Sequence, residues 1–293
     1  MKKTQTIIVL AIIACLVFAA GCTGNPATSQ PAPVPTVQQP VPVSIAGTPV
    51  QYKDVNGVRL AYWEFGSAGE PVLLIEGFGG TVANATPLQA SWNETFLGIL
   101  SSKYHVYAYD PRGMGYSSTN NATPTIPLYA DDAAELIKAL GYDSMHVYGA
   151  SMGSSTAQQL VIDHPERVRK LILDSNTYDA RVPECSTLLA ILKENANDPN
   201  QTAGVRAEAQ ANLVWNGTWD DLSGIKKDVM LVVGTVDPLT PQPVSVRMAG
   251  QINGSWLVRF KGLPHVGSHY APVQYGENAL YFLGMNESPL GNQ

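Results

Sequence analysis

The chain has 293 residues, close to half of them apolar, and a net charge of −6. That length supports a substantial core, and mild acidity without a basic patch interleaved with aromatics argues against a nucleic-acid partner. Cys15, Cys22 and Cys185 give no disulfide framework, and no Cys/His cluster has metal spacing, so neither a metal nor a cofactor is expected.

At the start of the chain, Lys2 and Lys3 precede an unbroken apolar run, Ile7 to Ala20. A bilayer-spanning helix needs about 20 apolar residues, so the run reads as a secretory signal. Its end, Ala19-Ala20-Gly21-Cys22, resembles a lipobox, with Ala19 in place of the usual leucine. That resemblance implies cleavage before Cys22 and lipidation of its thiol; an uncleaved anchor is the alternative. Either way the rest of the chain is expected to be exported and held at the outer face of the cytoplasmic membrane. Residues 23–47 are rich in Pro, Gln, Thr and Ser and are expected to form a disordered tether. Residues 48–288 are then expected to form one folded domain, acting as a monomer.

Within that domain, VQYKDV and VRLAYWEF are strand-like and are joined by Asn56-Gly57, a hairpin turn signal. Further strands are expected at PVLLIE, YHVYAYD, MHVYGA, KLILDS, VMLVVG and SWLVRF. Helical patterns lie between or after them at PLQASWNETFLGILSS, LYADDAAELIKALG, SSTAQQLVIDH, PVSVRMAGQI and PVQYGENALYFLG. Continuous apolar strands alternating with amphipathic helices indicate an α/β fold: a mostly parallel, eight-stranded sheet covered on both faces. The interval after LILDS breaks the alternation. It holds two helical stretches, near 184–195 and 202–215, and reads as a small cap spanning about 177–227.

Open α/β sheets place their chemistry at the carboxyl ends of the strands. Ser151 stands there, between strand MHVYGA and the helix that follows, in Gly149-Ala150-Ser151-Met152-Gly153. Glycines two residues either side of one hydroxyl fit a turn too tight for a Cβ, as in a nucleophile elbow. Serine needs a base to take its proton. His105 and His146 begin their strands, at the opposite edge, and His164 ends the helix that Ser151 opens, about 18 Å away. His265 and His269 follow the last strand; His265, nearer the strand end, is the expected base. An acid must orient that histidine. Asp237, after the penultimate strand, is preferred over Asp174 at the end of LILD.

From about residue 50 to 285 the chain resembles the α/β-hydrolase fold superfamily. The matching residues are Gly77-Phe78-Gly79-Gly80, Asp110 to Ser117, the elbow around Ser151, Asp237 and His265. The resemblance implies an oxyanion hole formed by the Phe78 and Met152 backbone amides, and a substrate cap formed by the inserted helices. A serine at the elbow, rather than an aspartate, implies acyl transfer to water. Carboxylic esters are the expected substrates. An aminopeptidase resembling proline iminopeptidases, with Glu184, Glu194 or Glu208 holding an amine, and an inactive surface-anchored binding protein are the alternatives.

One residue departs from the family pattern: Glu76 precedes Gly77 where histidine is usual. An ionised, uncompensated carboxylate about 6 Å from an oxyanion would oppose it by roughly 3 kcal/mol at an effective dielectric near 20. That is about the worth of one oxyanion donor. Glu76 is therefore expected to pair with Arg112, which follows the neighbouring strand.

Overall fold

The computed structural model describes residues 42–82 and 92–285. The expected signal, Cys22 and the tether up to residue 41 lie outside them. Strands β1 (Gln51–Val55) and β2 (Val58–Phe65) form an antiparallel hairpin. Its two linking residues, Asn56 and Gly57, both have left-handed backbones, with φ of 45° and 72°. That is the turn whose twist matches paired strands. Six strands follow: β3 (Pro71–Ile75), β4 (His105–Tyr109), β5 (Met145–Ala150), β6 (Val168–Asp174), β7 (Asp228–Gly234) and β8 (Trp256–Phe260). The sheet has eight strands in the order β1-β2-β4-β3-β5-β6-β7-β8. Strands β1, β2 and β4 pair antiparallel, and every pairing from β4 to β8 is parallel.

Alternation along the strands sorts the core into two faces. Leu73, Ile75, Val147, Leu171, Leu173 and Leu231 point to one face. There they meet helices α2 (Ile126–Ala139), α3 (Met152–Asp163) and α6 (Gln242–Gln251) through residues such as Ala133, Leu160 and Met248. Val72, Leu74, Tyr148, Ile172 and Met230 point to the other. They meet α1 (Glu94–Ser101) and α7 (Pro272–Leu283) through Phe96, Leu100, Ala279 and Phe282. Each fully buried aliphatic side chain contributes roughly 1.5–3 kcal/mol of transfer free energy. The apolar strand runs are thereby held in the middle layer. The first five residues of the helical pattern expected from residue 87 lie outside the described residues, and α1 begins at Glu94. Asn93 caps it, its Oδ1 accepting from Thr95 N–H at 2.8 Å, so residues 92 and 93 are not helical.

Between β6 and β7 lie α4 (Ser186–Asn197) and α5 (Ala203–Val214). The sheet order reverses at β3, whose successor β4 lies on one side while β5 lies on the other. Crevices at such switch points, at the carboxyl ends of the strands, are where these sheets bind ligands. The loop after β3 and the turn after β5 both open there.

Candidate active site

The turn after β5 is as tight as its two glycines suggest. A Cβ on Gly149 would sit 2.2 Å from the Gly153 carbonyl oxygen, and one on Gly153 would sit 2.0 Å from that of Ile75. Any side chain at either position would push α3 off the sheet. Between them Ser151 has φ 54° and ψ −119°, a left-handed backbone that non-glycine residues seldom adopt. The conformation is held by Ser151 N–H donating to Asp174 O at 2.9 Å, and by Ser154 N–H and Oγ donating to Ser151 O.

His265 lies in the loop after β8. Ser151 Oγ donates to its Nε2 at 2.8 Å, and its Nδ1 donates to Asp237 Oδ2, also at 2.8 Å. The next residue, Val266, is left-handed with φ 47° and donates its N–H to Ser175 Oγ, which fixes the loop. Asp237 is buried and accepts three further bonds, from Leu239 N–H, Thr240 N–H and Thr240 Oγ1, at 2.8 to 3.0 Å. Burial alone would raise its carboxyl. The His265 contact and the Thr240 and Leu239 amides more than offset that, and hold it below the usual carboxylate range. Thr240 is a contributor that the sequence did not single out, although Asp-x-x-Thr after a strand is a turn-capping spacing.

Asp174, the other acid considered, faces a different way. Its carboxyl accepts from Tyr148 Oη and Ser175 Oγ, both at 3.0 Å. Burial pushes it up to about 7. Three other histidines have carboxylate partners, and His269 ends the short 3-10 turn Gly267–His269 that follows His265. His105 meets Glu64, His146 meets Glu70, and His164 meets Asp131 at the far end of α3. Cys185 is buried, and burial pushes its thiol up to about 11, which leaves little thiolate.

The loop after β3 supplies the facing side. Gly80 N–H donates to Gly77 O at 3.0 Å, with Gly79 at φ 71°. This is a β-turn with Phe78 at its first corner and a glycine where positive φ is required. The Met152 amide opens α3, where the first N–H groups have no acceptor inside the helix. The Phe78 and Met152 side chains pack together with Ile126, Tyr129, Ala211 and Trp215.

The expected Glu76–Arg112 pair does not form. Arg112 is buried and turned toward α2: Nε and Nη2 donate to Asp132 Oδ2 and Oδ1 at 2.5 and 2.6 Å, and Nη1 donates to Asn120 Oδ1. Two nitrogens of the guanidinium are thus committed to a bidentate, buried ion pair with Asp132, and the third to Asn120. Asp132 sits on the apolar face of α2 beside Tyr129 and Ala133, where an unpaired carboxylate would be strongly disfavoured. That need, rather than Glu76, decides where Arg112 goes. Glu76 is itself buried, and near it the cap contributes Glu208. Glu208 Oε2 accepts from Gly79 N–H at 2.7 Å. Among the described residues no cluster of three or more His, Cys, Asp or Glu is arranged to hold a metal ion.

Sheet order, elbow and loop arrangement together are those of the alpha/beta hydrolase fold. Residues 70–214, just under half the chain, match the model of that fold family. The chain is similar, at 37% identity over 130 residues, to the dihydrolipoyllysine-residue acetyltransferase component of an acetoin cleaving system from Cupriavidus necator. That match covers 44% of this chain and only a third (33%) of the relative. It is 24% identical over 256 residues to an (E)-2-((N-methylformamido)methylene)succinate hydrolase from Acinetobacter baylyi, covering 76% of this chain and 93% of that one. Among solved structures, an alpha/beta hydrolase fold protein from Chitinophaga pinensis superposes with a TM-score of 0.70 at 21% identity, over 83% of this chain and all (100%) of that one.

Proposed function

We propose that this hydrolase-family chain is a serine hydrolase that cleaves carboxylic esters of small or medium acyl groups. The observation that carries the reading is the hydrogen-bonded series Ser151 Oγ, His265 Nε2, His265 Nδ1, Asp237 Oδ2, with both links at 2.8 Å. In the proposed reaction Ser151 Oγ attacks the ester carbonyl as its proton passes to His265 Nε2. The Phe78 and Met152 amides receive the negative charge that develops on the carbonyl oxygen. The imidazolium, balanced by Asp237, gives its proton to the departing alkoxide, which leaves an acyl-serine. Water, deprotonated by His265, then displaces the acid and restores Ser151. The apolar group formed by Phe78, Ile126, Tyr129, Met152, Ala211 and Trp215 suits an aliphatic acyl chain better than a charged one.

Three acids had been candidates for holding a substrate amine, as an aminopeptidase would require. Glu184 is already bound by Arg247 at 2.6 Å, Glu194 is exposed, and Glu208 is buried against the Gly79 amide. None offers a free anion beside Ser151, which favours the ester reading. A fluorophosphonate probe separates a working hydrolase from an inactive binding protein. Labelling is expected on Ser151 and should vanish in Ser151→Ala, together with several orders of magnitude of p-nitrophenyl ester turnover. Turnover in that variant near the wild-type rate would overturn the assignment. We further propose that the domain acts as a monomer, exported and anchored through Cys22. A mature N-terminus other than Cys22, read by mass spectrometry of the native protein, would reject the lipid anchor.

A further inference from the structure

We infer that Glu208 is a positioning residue that ties the cap to the oxyanion loop, holding the turn that aims the Phe78 amide; this rests on the serine-hydrolase reading. Gly79 N–H, the amide next to Phe78, donates to Glu208 Oε2 at 2.7 Å across 129 residues of sequence. Because a peptide unit is planar, fixing one amide of a tight turn restricts the orientation of the next. Glu208 has no solvent exposure and lies on the inner face of α5 with Gly204, Ala211 and Asn212.

That face is seated rather than hinged. Gly204 packs so closely on the loop after β4 that a Cβ would meet the Gly113 carbonyl oxygen at 2.2 Å. Asn212 Nδ2 donates to Glu208 O, one turn back. Just beyond α5, Trp215 Nε1 donates to Gln159 Oε1 and Thr218 Oγ1 to Gln158 Oε1, both acceptors on α3. Ala211 and Trp215 also pack on Phe78 and Met152. The helix carrying Glu208 is therefore fastened to the helix that begins at Ser151. A contact from such a helix can set geometry to the fraction of an ångström that an oxyanion donor needs.

The charge state of Glu208 fits the role. Burial pushes its carboxyl up to about 8, with the Gly79 bond acting against the rise and the charge of Glu76 adding to it. The ionisable groups around it are Glu76 after β3, Tyr109 at the end of β4 and Tyr129 on α2, with the Arg112–Asp132 pair beyond them. At neutral pH Glu208 can hold the loop as an uncharged acceptor. Once ionised, it would put a negative charge beside a site that must stabilise one.

The test compares full-length wild type, Glu208→Ala and Glu208→Gln on p-nitrophenyl butyrate, with kcat and KM separated across pH 6 to about 10. In Glu208→Ala, kcat should fall roughly 10- to 100-fold with KM within about threefold, as expected for loss of transition-state rather than ground-state binding. The Gln variant, whose amide oxygen can still accept from Gly79, should stay within about threefold of wild type at pH 7. It should also keep its kcat above pH about 8, where the wild type declines. An Ala variant with unchanged kcat, or a Gln variant as slow as Ala, overturns the inference. If Glu208→Ala does not fold, the Gln profile decides alone: an alkaline decline identical to that of the wild type overturns the inference. A wild type that neither turns over esters nor takes the fluorophosphonate label would instead sink the serine-hydrolase reading, and this inference with it.

Discussion

Asp174 ends β6 and Asp237 stands three residues past the end of its parallel neighbour β7; both are buried and lie close enough to His265 for its charge to be felt at each. Yet one is held below the usual carboxylate range and the other is pushed up to about 7. Burial works in the same direction on both. The difference lies in the donors. Asp237 receives two backbone amides, a threonine hydroxyl and the His265 ring, whereas Asp174 receives two hydroxyls and no cation directly. A strand-end aspartate becomes the partner of a histidine when the turn after it folds amides back onto the carboxylate. Position at the sheet edge is not sufficient.

The comparison can be broken most forcefully at Asp237. Asp237→Asn removes the charge and favours the wrong His265 tautomer, so kcat should fall roughly 10³- to 10⁴-fold in a p-nitrophenyl ester assay. Near wild-type turnover in that variant, together with collapse in Asp174→Asn, would exchange the two roles. Asp174→Asn should act on stability instead. A carboxyl raised from an ordinary value near 3.8 to about 7 keeps its proton longer in the folded than in the unfolded chain. Its contribution is fully present below about pH 4 and is lost as pH rises toward 7, on the order of 4 kcal/mol in all. The Asn variant should lose that slope, which denaturant titrations at pH 5 and 7.5 would reveal. An unchanged slope would mean that Asp174 is ionised in the fold. The smallest effect belongs to Thr240→Val. It removes one of the donors to Asp237 and should cost about 1 kcal/mol, seen as roughly a tenfold or smaller drop in kcat with KM unchanged. A drop as large as that of Asp237→Asn would show that Thr240 does more than hold the carboxylate.

What the sequence disclosed and what it hid differ in the kind of information each needed. Ser151 could be found because the elbow is local: Gly149 and Gly153 are each demanded by contacts whose signature lies within five residues. His265 and Asp237 followed from counting strands, since each stands just after one. The partner of Arg112 was out of reach because it depends on which face of α2 Asp132 occupies. In LYADDAAEL the two aspartates are adjacent, and only packing distinguishes buried Asp132 from Asp131, which meets His164. Glu208 was weighed as an amine ligand, and its bond to Gly79 was missed for a related reason. A contact across 129 residues leaves no periodicity to read, and a glutamate on a cap helix ordinarily marks the solvent face. The start of α1 was misplaced because an asparagine inside a helical pattern is as good a cap as it is an interior residue.

The short turn between α4 and α5, with Pro199 and Asn200 exposed, divides the working parts of the molecule into two sets. Phe78, Arg112, Ser151 and Met152 come before it; Glu208, Asp237 and His265 come after. A chain cut at this turn would yield two polypeptides, neither holding a complete Ser-His-Asp relay. Ester turnover from a mixture of the two halves would then report how well β6 and β7, the two strands that must pair across the cut, recognise one another without a covalent link.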